Sequence, residues 1–350
     1  MTAMLLLALS VATDGHAAMQ RHTLEHEGVE REYFVHIPPN AEKPLPVVVG
    51  LHGYTSTATG FAYAHGLNAH ADANGYMVVY PQGTHFLVAE QSDAPFRITT
   101  WNSYGKEGPD FDAPPHCTAE SAQYPCPPGC DECHRCQWEP CTNDVAFIAK
   151  VLDEVQETYA TDTSRYYVLG VSNGAMLTTR IACELAERFA AAAPIIGLQP
   201  PGHACGPNTD LPVLFLMGAQ DETIRYDGKA GKDDGFSYAS LAESTKIYAN
   251  TMQCVSGPAD WPSTLAEAAG VECTAYSACQ VPGHEVVSCL DPNGTHVWPR
   301  QGPSSHSATC ITAEQAASMP EKELCPPVSD QGPHAGMDLV WSFFSRYRRD

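Results

Sequence analysis

The stretch Tyr166–Met176 reads YYVLGVSNGAM and determines how the rest of the chain is interpreted. Its first half is a short β-rich apolar run, and its second half begins a helical segment that continues to Leu185. Between them, residues 170–174 form a G-x-S-x-G pentapeptide. The flanking glycines permit a sharp strand-to-helix turn that lifts a serine hydroxyl above a sheet, beside a helix N-terminus. This context makes Ser172 a candidate nucleophile.

Short β-rich runs alternate with helical stretches on both sides of this motif, which predicts an α/β fold with a mostly parallel central sheet flanked by helices. The runs are almost continuously apolar, as expected of strands buried on both faces. Apolar and polar residues alternate in Glu30–Ile37 instead, which predicts an edge strand with one solvent-exposed face. The predicted buried strands are Val47–Leu51, Tyr76–Tyr80, Tyr166–Gly170, Ile195–Gly197, Val213–Gly218 and Glu285–Cys289.

Two segments have the apolar spacing of amphipathic helices. The segment from Asp144 to Tyr159 has Thr142 or Asn143 available as its N-cap. The segment from Ala335 to Tyr347 is expected to close the fold by packing against the sheet.

Three stretches, 105–141, 254–283 and 299–333, are rich in Pro, Cys, Gly and Ser and have no regular apolar periodicity. None is expected to build its own core, so we predict disulfide-rich loop insertions in a single domain over residues 22–350. Cross-links would have to hold them in place.

The chain of 350 residues is strongly acidic, with 19 Lys and Arg against 41 Asp and Glu and a formal net charge of −22. This charge would repel phosphate backbones and anionic membrane surfaces, so we expect neither nucleic acid nor a membrane as a partner. Neutral polymers or small esters are easier substrates to approach, and we expect a monomer.

The N-terminus predicts export. The apolar run Met4–Ala12 is too short to span a bilayer, and the small residues Ala17 and Ala18 follow it, so residues 1–18 are typical of a cleaved signal peptide. The chain has 14 cysteines, an even number that a reducing cytosol rarely tolerates. We therefore predict a secreted, extracellular protein.

A serine nucleophile needs a histidine to take its proton and an acid to orient that histidine. Behind a G-x-S-x-G turn the chain order is serine, acid, histidine. Asp221 follows the predicted strand Val213–Gly218 at its C-terminal end, where ligand sites gather in open α/β sheets. We therefore predict Asp221 as the acid. Asp210, Asp227 and Asp291 are the alternatives if Asp221 is a turn residue.

The predicted base is His296, which lies in a tight loop after the last predicted strand. His334, just before the last helix, is its rival. The oxyanion of acyl transfer needs two N–H donors, for which we predict the backbone amides of Asn173 and Tyr54. His52 is expected to be structural, beneath the turn that carries Tyr54.

With these residues in place, the chain resembles the polyhydroxybutyrate depolymerase and feruloyl esterase family of secreted α/β-hydrolases, over about residues 22–347. The resemblance implies an α/β-hydrolase fold, hydrolysis of carboxylic esters by a triad of Ser172, Asp221 and His296, and no metal or organic cofactor. Its landmarks occur in order: Leu51-His52-Gly53, Tyr80-Pro81-Gln82-Gly83, Trp101-Asn102, Asp144-Val145-Ala146-Phe147-Ile148, Gly170-Val171-Ser172-Asn173-Gly174, Asp221 and His296-Val297-Trp298-Pro299.

The resemblance also implies two disulfides, and it leaves four further cysteines to pair with each other. Departures from the family border the expected active site: Tyr54-Thr55-Ser56 replaces a glycine-rich turn, and two inserts lengthen nearby loops. The pairs that the resemblance implies are Cys254 with Cys279 and Cys183 with Cys205, which leaves Cys273 to pair with Cys289 and Cys310 to pair with Cys325.

The first insert crowds six cysteines into a short polar stretch from Cys117 to Cys141. Six cysteines allow fifteen pairings, so their connectivity stays open. Disulfides are favoured by export, and zinc held by these cysteines with His116 and His134 is the alternative. We expect the insert to form one side of the Ser172 cleft.

The function predicted from these residues is a serine esterase acting on feruloyl or acetyl esters of polysaccharides, or on hydroxyalkanoate oligomers. Trp101 and Trp298 are candidates to stack on an aromatic acyl group or a sugar, although each fits core packing equally well. The alternative is a catalytically silent protein that binds carbohydrate or a partner on the same fold.

Overall fold

A computed structural model describes residues 19–88, 96–103, 116–121, 126–127, 129–130, 136–202, 205, 209–232, 235–298, 308–325 and 335–349. The predicted signal peptide, His134 and His334 lie outside these residues. No helix in the described part of the chain is both long and apolar enough to cross a membrane.

In the described part of the chain, ten strands form one sheet and two more form a separate hairpin. The strands of the large sheet are β1 (Gln20–His26), β2 (Val29–His36), β3 (Leu45–Leu51), β4 (Met77–Pro81), β7 (Thr161–Val171), β8 (Ala191–Ile195), β9 (Val213–Gly218), β10 (Ser256–Asp260), β11 (Glu272–Ser277) and β12 (Val286–Asp291). The hairpin pairs β5 (Thr84–Val88) with β6 (Phe96–Thr100).

The strand order is β1-β2-β4-β3-β7-β8-β9-β12-β11-β10. The six central strands, β4, β3, β7, β8, β9 and β12, run parallel, and the two outer strands on each side are antiparallel. Every residue of β3, β4, β8 and β9 is buried, as their continuous apolar character predicts.

Helices cover both faces of the sheet. They are α1 (Ala58–His65), α2 (Leu67–Asn74), α3 (Asp144–Thr158), α4 (Asn173–Glu184), α5 (Leu241–Thr251), α6 (Thr264–Ala269) and α7 (Ala335–Phe344). Helices α3, α4 and α5 bury their apolar residues in one core, and α1, α2, α6 and α7 in the other. Alternate residues of β3 point to the two cores, with Val47 and Val49 in the first and Val48 in the second. The predicted α/β architecture is confirmed.

The predicted helices form with small changes at their ends. Helix α3 begins at Asp144, and its N-cap is Asn143, whose side chain accepts the backbone N–H of Ala146 at 3.1 Å. Helix α7 begins at Ala335 as predicted and ends at Phe344.

Three details of the predicted sheet are wrong. The alternating segment that forms β2 is not the edge strand, because β1 pairs with it and takes the edge. The strand predicted at Ile195–Gly197 lies earlier, at Ala191–Ile195. The stretch 254–283 is not a bare loop, since it contains β10, α6 and β11 and extends the sheet beyond β12.

Disulfides fasten all three predicted inserts. The structure joins Cys117 with Cys136, Cys130 with Cys141, Cys183 with Cys205, Cys254 with Cys279, Cys273 with Cys289, and Cys310 with Cys325. None of the cysteines in the described part of the chain is free. Of the four pairs outside the first insert, Cys254–Cys279 and Cys183–Cys205 are those that the resemblance implied, and the other two join the four cysteines that it left over.

Candidate active site

Strand β7 and helix α4 meet in a sharp turn at Ser172. The residue has φ 56° and ψ −119°, a conformation that is costly for any residue with a side chain. It persists because the strand before it and the helix after it are both buried in the core. The turn sets the Ser172 hydroxyl at the N-terminal end of α4.

Close backbone contacts explain the glycines around this turn. A Cβ on Gly170 would lie 2.2 Å from the carbonyl oxygen of Gly174, and a Cβ on Gly174 would lie 2.3 Å from that of Leu51. A Cβ on Gly197 would lie 2.4 Å from the carbonyl oxygen of Ser172 itself. No side chain fits at these three positions, so the G-x-S-x-G pattern is a packing requirement of the turn.

The predicted triad residues lie in hydrogen-bond contact. His296 Nε2 lies 3.0 Å from Ser172 Oγ, and His296 Nδ1 lies 2.7 Å from Asp221 Oδ2. Asp221 Oδ1 accepts the backbone N–H groups of Thr223 and Ile224 at 2.9 and 2.8 Å. Asp221 is buried and acts only as an acceptor in these hydrogen bonds. This favours a proton on His296 Nδ1, so that His296 Nε2 can accept the hydrogen bond from Ser172.

The sheet brings these three residues together from distant parts of the chain. Ser172 follows β7, Asp221 follows β9 and His296 follows β12, so all three lie at the C-terminal edge of parallel strands. The loops after β9 and β12 are also tied directly, because the N–H of Gln220 donates to the carbonyl of Gly294 at 2.8 Å.

The rival acids have other partners. Asp210 pairs with His284 at 2.8 Å. Asp227 pairs with Arg225 and Lys229, and Asp291 Oδ1 accepts the backbone N–H of Asn293 at 3.0 Å.

The predicted oxyanion donors flank Ser172. Asn173 is the first residue of α4, where backbone N–H groups have no acceptor within the helix. Tyr54 lines the same cavity as Ser172, and a Cβ on the preceding Gly53 would lie 3.4 Å from Ser172 Cβ. The carbonyl of Gly53 accepts the N–H of Ser56 at 3.2 Å, which fixes the peptide plane that carries the Tyr54 N–H.

His52 is buried beneath this turn and takes no part in the hydrogen bonds of Ser172. Its Nε2 accepts the backbone N–H of Gly83 at 2.9 Å, so its proton is on Nδ1, which donates to the Gly53 carbonyl at 2.8 Å. Burial lowers the pKa of His52 to about 3, so the ring stays neutral.

This low pKa predicts how stability depends on pH. Between pH 3 and the ordinary histidine value near 6.5, the unfolded chain binds one proton more at this position than the folded chain. The contribution of His52 to stability is therefore present above that window and is lost as pH falls through it, by about 1.4 kcal/mol per pH unit at most. A His52→Gln variant should lose less stability between pH 6.5 and 4.5, measured by urea unfolding. Equal losses in the two proteins would contradict the buried neutral ring.

A cavity of about 230 Å³ opens beside Ser172 and His296. Its walls are mostly aromatic and aliphatic. They come from the turn that carries Tyr54, the first insert, α4 and the region after β9. The lining residues are Tyr54, Trp138, Ser172, Met176, Thr223, Ile224, Phe236, Tyr238 and His296.

Trp101 and Trp298, predicted as stacking residues, do not line this cavity. Trp101 is fully buried, and its indole N–H donates to the carbonyl of His52 at 2.9 Å. Trp298 is 1% exposed and packs against His65, with ring centroids 4.9 Å apart. Both are core residues in this structure, which agrees with the core-packing alternative.

Sequence reasoning missed the tryptophan that does line the cleft, Trp138. It lies in the first insert, where its ring makes edge contacts with Tyr54 at 5.0 Å and Phe236 at 6.3 Å between centroids. A backbone bridge between Cys117 and Phe236 and the Cys117–Cys136 disulfide hold this wall together. The placement of an aromatic residue between two cysteines, Cys136 and Cys141, is the only signal in the sequence that could have suggested it.

The structure does not favour the zinc alternative for this insert. Cys117, Cys130, Cys136 and Cys141 are all in disulfides and cannot act as thiolate ligands. Within the described ranges, no group of three or more His, Cys, Asp or Glu side chains is placed to hold a metal.

Comparisons with known proteins place the chain among esterases. It is 28% identical to the putative esterase NocK of Nocardia uniformis subsp. tsuyamanensis over 291 residues, which cover 78% of this chain and 72% of NocK. It is 31% identical to poly(3-hydroxyalkanoate) depolymerase C of Paucimonas lemoignei over 166 residues, and 26% identical to feruloyl esterase B of Piromyces equi over 167 residues. The last two matches cover 47% and 45% of this chain, but only 31% and 30% of those longer relatives. No family model matches the chain.

A solved structure supports the fold. The acetyl xylan esterase from Aspergillus awamori superposes with a TM-score of 0.52 at 16% sequence identity, over 81% of this chain and 95% of the other. At this identity the likeness concerns the fold alone. Taken with the sequence relatives, it confirms the predicted resemblance: the chain is an ester hydrolase of the α/β-hydrolase fold, related to named esterases and to a poly(3-hydroxyalkanoate) depolymerase.

Proposed function

We propose that this protein is a secreted serine carboxylic-ester hydrolase that works through an acyl-enzyme. The observation that carries the proposal is the unbroken pair of hydrogen bonds from Ser172 through His296 to the buried Asp221. A serine hydroxyl becomes a useful nucleophile only when a correctly oriented base takes its proton. The hydrogen bonds support His296 as that base, in the tautomer that the reaction requires.

The reaction follows from the geometry in two halves. Ser172 Oγ attacks the ester carbonyl while His296 Nε2 takes its proton, and the backbone N–H groups of Asn173 and Tyr54 bind the oxyanion. The imidazolium, stabilised by Asp221, then protonates the leaving alcohol. Water next attacks the acyl-enzyme with His296 as base, and the acid departs with Ser172 restored.

The cavity favours a small acyl group with an apolar face. At about 230 Å³ it is smaller than the roughly 300–1,000 Å³ typical of ligand pockets, so one acyl group fits while a polymer chain stays outside. Feruloyl or acetyl esters on polysaccharides, or hydroxyalkanoate oligomers, meet this description. Rates on methyl ferulate, acetylxylan and hydroxybutyrate oligomers would rank the three.

The competing function is a silent carbohydrate-binding or partner-binding protein on the same fold. Hydrolysis of p-nitrophenyl acetate, together with labelling of Ser172 by phenylmethylsulfonyl fluoride, separates the two. If the folded protein neither hydrolyses the ester nor takes the label, the proposed esterase function is refuted. The disulfides support secretion, since they persist in oxidising compartments.

The first insert should influence which acyl group is accepted. Trp138→Ala removes an aromatic wall, and a lost aromatic contact of about 1.4 kcal/mol corresponds to tenfold in rate. We expect kcat/KM for methyl ferulate to fall about tenfold relative to p-nitrophenyl acetate. The matched control is Trp261→Ala, because Trp261 follows β10 at the far edge of the sheet. An equal loss on both esters in Trp138→Ala would exclude a role in acyl selection.

A further inference from the structure

The residue after Trp138 is a buried glutamate that faces the back of the Ser172 turn. Glu139 is 1% exposed, and it accepts the backbone N–H of Ser103 at 2.6 Å and the Ser103 hydroxyl at 2.7 Å. It also accepts a hydrogen bond from the side-chain Nδ2–H of Asn173 at 2.7 Å. These three groups are all donors, which suits an ionised carboxylate because that group can only accept.

Asn173 has both ends of its side chain engaged. Its Oδ1 accepts the Thr100 hydroxyl at 3.0 Å and the Trp101 N–H at 2.8 Å, and its Nδ2 donates to the Trp101 carbonyl at 3.2 Å and to Glu139. Of these four partners, Glu139 alone is an ionisable side chain, and its bond is the shortest. Hydrogen bonds therefore hold both ends of the Asn173 side chain, and Asn173 is the residue that follows Ser172.

This anchoring matters because Asn173 supplies a backbone N–H, not a side chain, to the proposed reaction. Oxyanion donors are effective when they are fixed before the charge develops, and losing one such donor lowers kcat by roughly 100-fold to 1,000-fold. A side chain held at four points restrains the backbone of its own residue, and with it the N–H of Asn173. Hydrogen bonds to charged groups contribute about twice as much as neutral ones, so Glu139 is the strongest of these anchors.

The cysteine bridges fix Glu139 in turn. Cys141, two residues later, is joined to Cys130, and the Gln137 amide group lies 3.0 Å from both sulfur atoms. Trp138 and Glu139 are therefore presented by one cross-linked segment, the first to the acyl cavity and the second to Asn173.

We infer that Glu139 is a positioning residue for ester hydrolysis, acting through the Asn173 side chain to fix the oxyanion-binding N–H of Asn173. The inference rests on the proposed function. It gives the insert a part in the reaction itself, in addition to its effect on substrate choice.

The test compares Glu139→Met, which keeps the length of the side chain but offers no oxygen, with Glu139→Gln, which keeps one acceptor for Asn173. We expect Glu139→Met to lower kcat for p-nitrophenyl acetate at least about tenfold with KM within about twofold, and to weaken inhibition by phenylboronic acid, which mimics the tetrahedral intermediate, by a similar factor. Glu139→Gln should recover most of that loss. The matched control is Glu285→Met, another buried glutamate, remote from Ser172, which should lose thermal stability but keep kcat.

A double-mutant cycle tests whether Glu139 acts through Asn173. Asn173→Ala keeps the backbone N–H and should itself lower kcat about tenfold, and adding Glu139→Met should then cost less than about twofold more. Additive losses, or a folded Glu139→Met with the wild-type kcat, would overturn the inference. If Glu139→Met does not fold, the Asn173→Ala variant alone tests the inference. Full activity in Asn173→Ala would show that the Asn173 side chain is not needed to position the N–H. Ester hydrolysis by the wild-type protein separates these outcomes from failure of the proposed function.

Discussion

Replacing Ser172 with alanine is expected to leave a folded protein whose kcat for p-nitrophenyl acetate is lower by at least about three orders of magnitude. The variant keeps the cavity and the proposed oxyanion donors, so substrate can still bind, but no acyl-enzyme can form. Because the side chain only loses its hydroxyl, the fold should survive and the melting temperature should stay near that of the wild type.

Two controls make this result specific. Ser345→Ala removes an exposed hydroxyl beyond α7 and should leave kcat unchanged. Phenylmethylsulfonyl fluoride should add one label to the wild-type protein, located by peptide mass at Ser172, and none to Ser172→Ala. Near-full activity in Ser172→Ala would show that the turn is only structural.

The second large effect concerns the base. We expect His296→Ala to lose at least about three orders of magnitude in kcat, since no other described histidine lies within hydrogen-bond distance of Ser172 Oγ. His284→Ala is the matched control, because this histidine also pairs with an aspartate but lies away from the cleft. It should keep wild-type kcat.

The rival assignment is tested by His334→Ala. This variant should keep most of its activity if His296 is the base. An inactive His334→Ala beside an active His296→Ala would reverse the assignment and move the catalytic loop to the start of α7.

The sequence was most informative where local geometry and chemistry depend on the same residues. The glycines at 170 and 174 are required by backbone contacts within the turn, so their spacing around Ser172 predicted the turn and pointed to Ser172 as the candidate nucleophile. Fully buried strands such as β3 and β9 could be predicted because a short, continuous apolar run is typical of a strand covered on both faces.

Prediction failed where position depends on contacts between distant segments. Strand β10 has no buried residue and carries no alternation, so nothing in its sequence indicates that it pairs with β11. Trp101 and Trp138 are both amphipathic aromatic residues, and which of them reaches the cleft depends on how the insert folds back. That path is determined by disulfide pairing, which the spacing of six cysteines does not specify.

Of the two edge strands of the sheet, β1 and β10, the second has a consequence for self-association. An exposed edge with free backbone N–H and C=O groups invites another strand to pair with it, which is the usual start of edge-to-edge aggregation. Strand β10 forms this edge, yet all five of its residues are exposed, and none of them is a large apolar residue that could pack against an incoming chain. Pro258 has no N–H to offer, and Asp260 places a negative charge at the end of the strand. The chain therefore ends its sheet with a strand that completes the fold while giving a second copy little to bind.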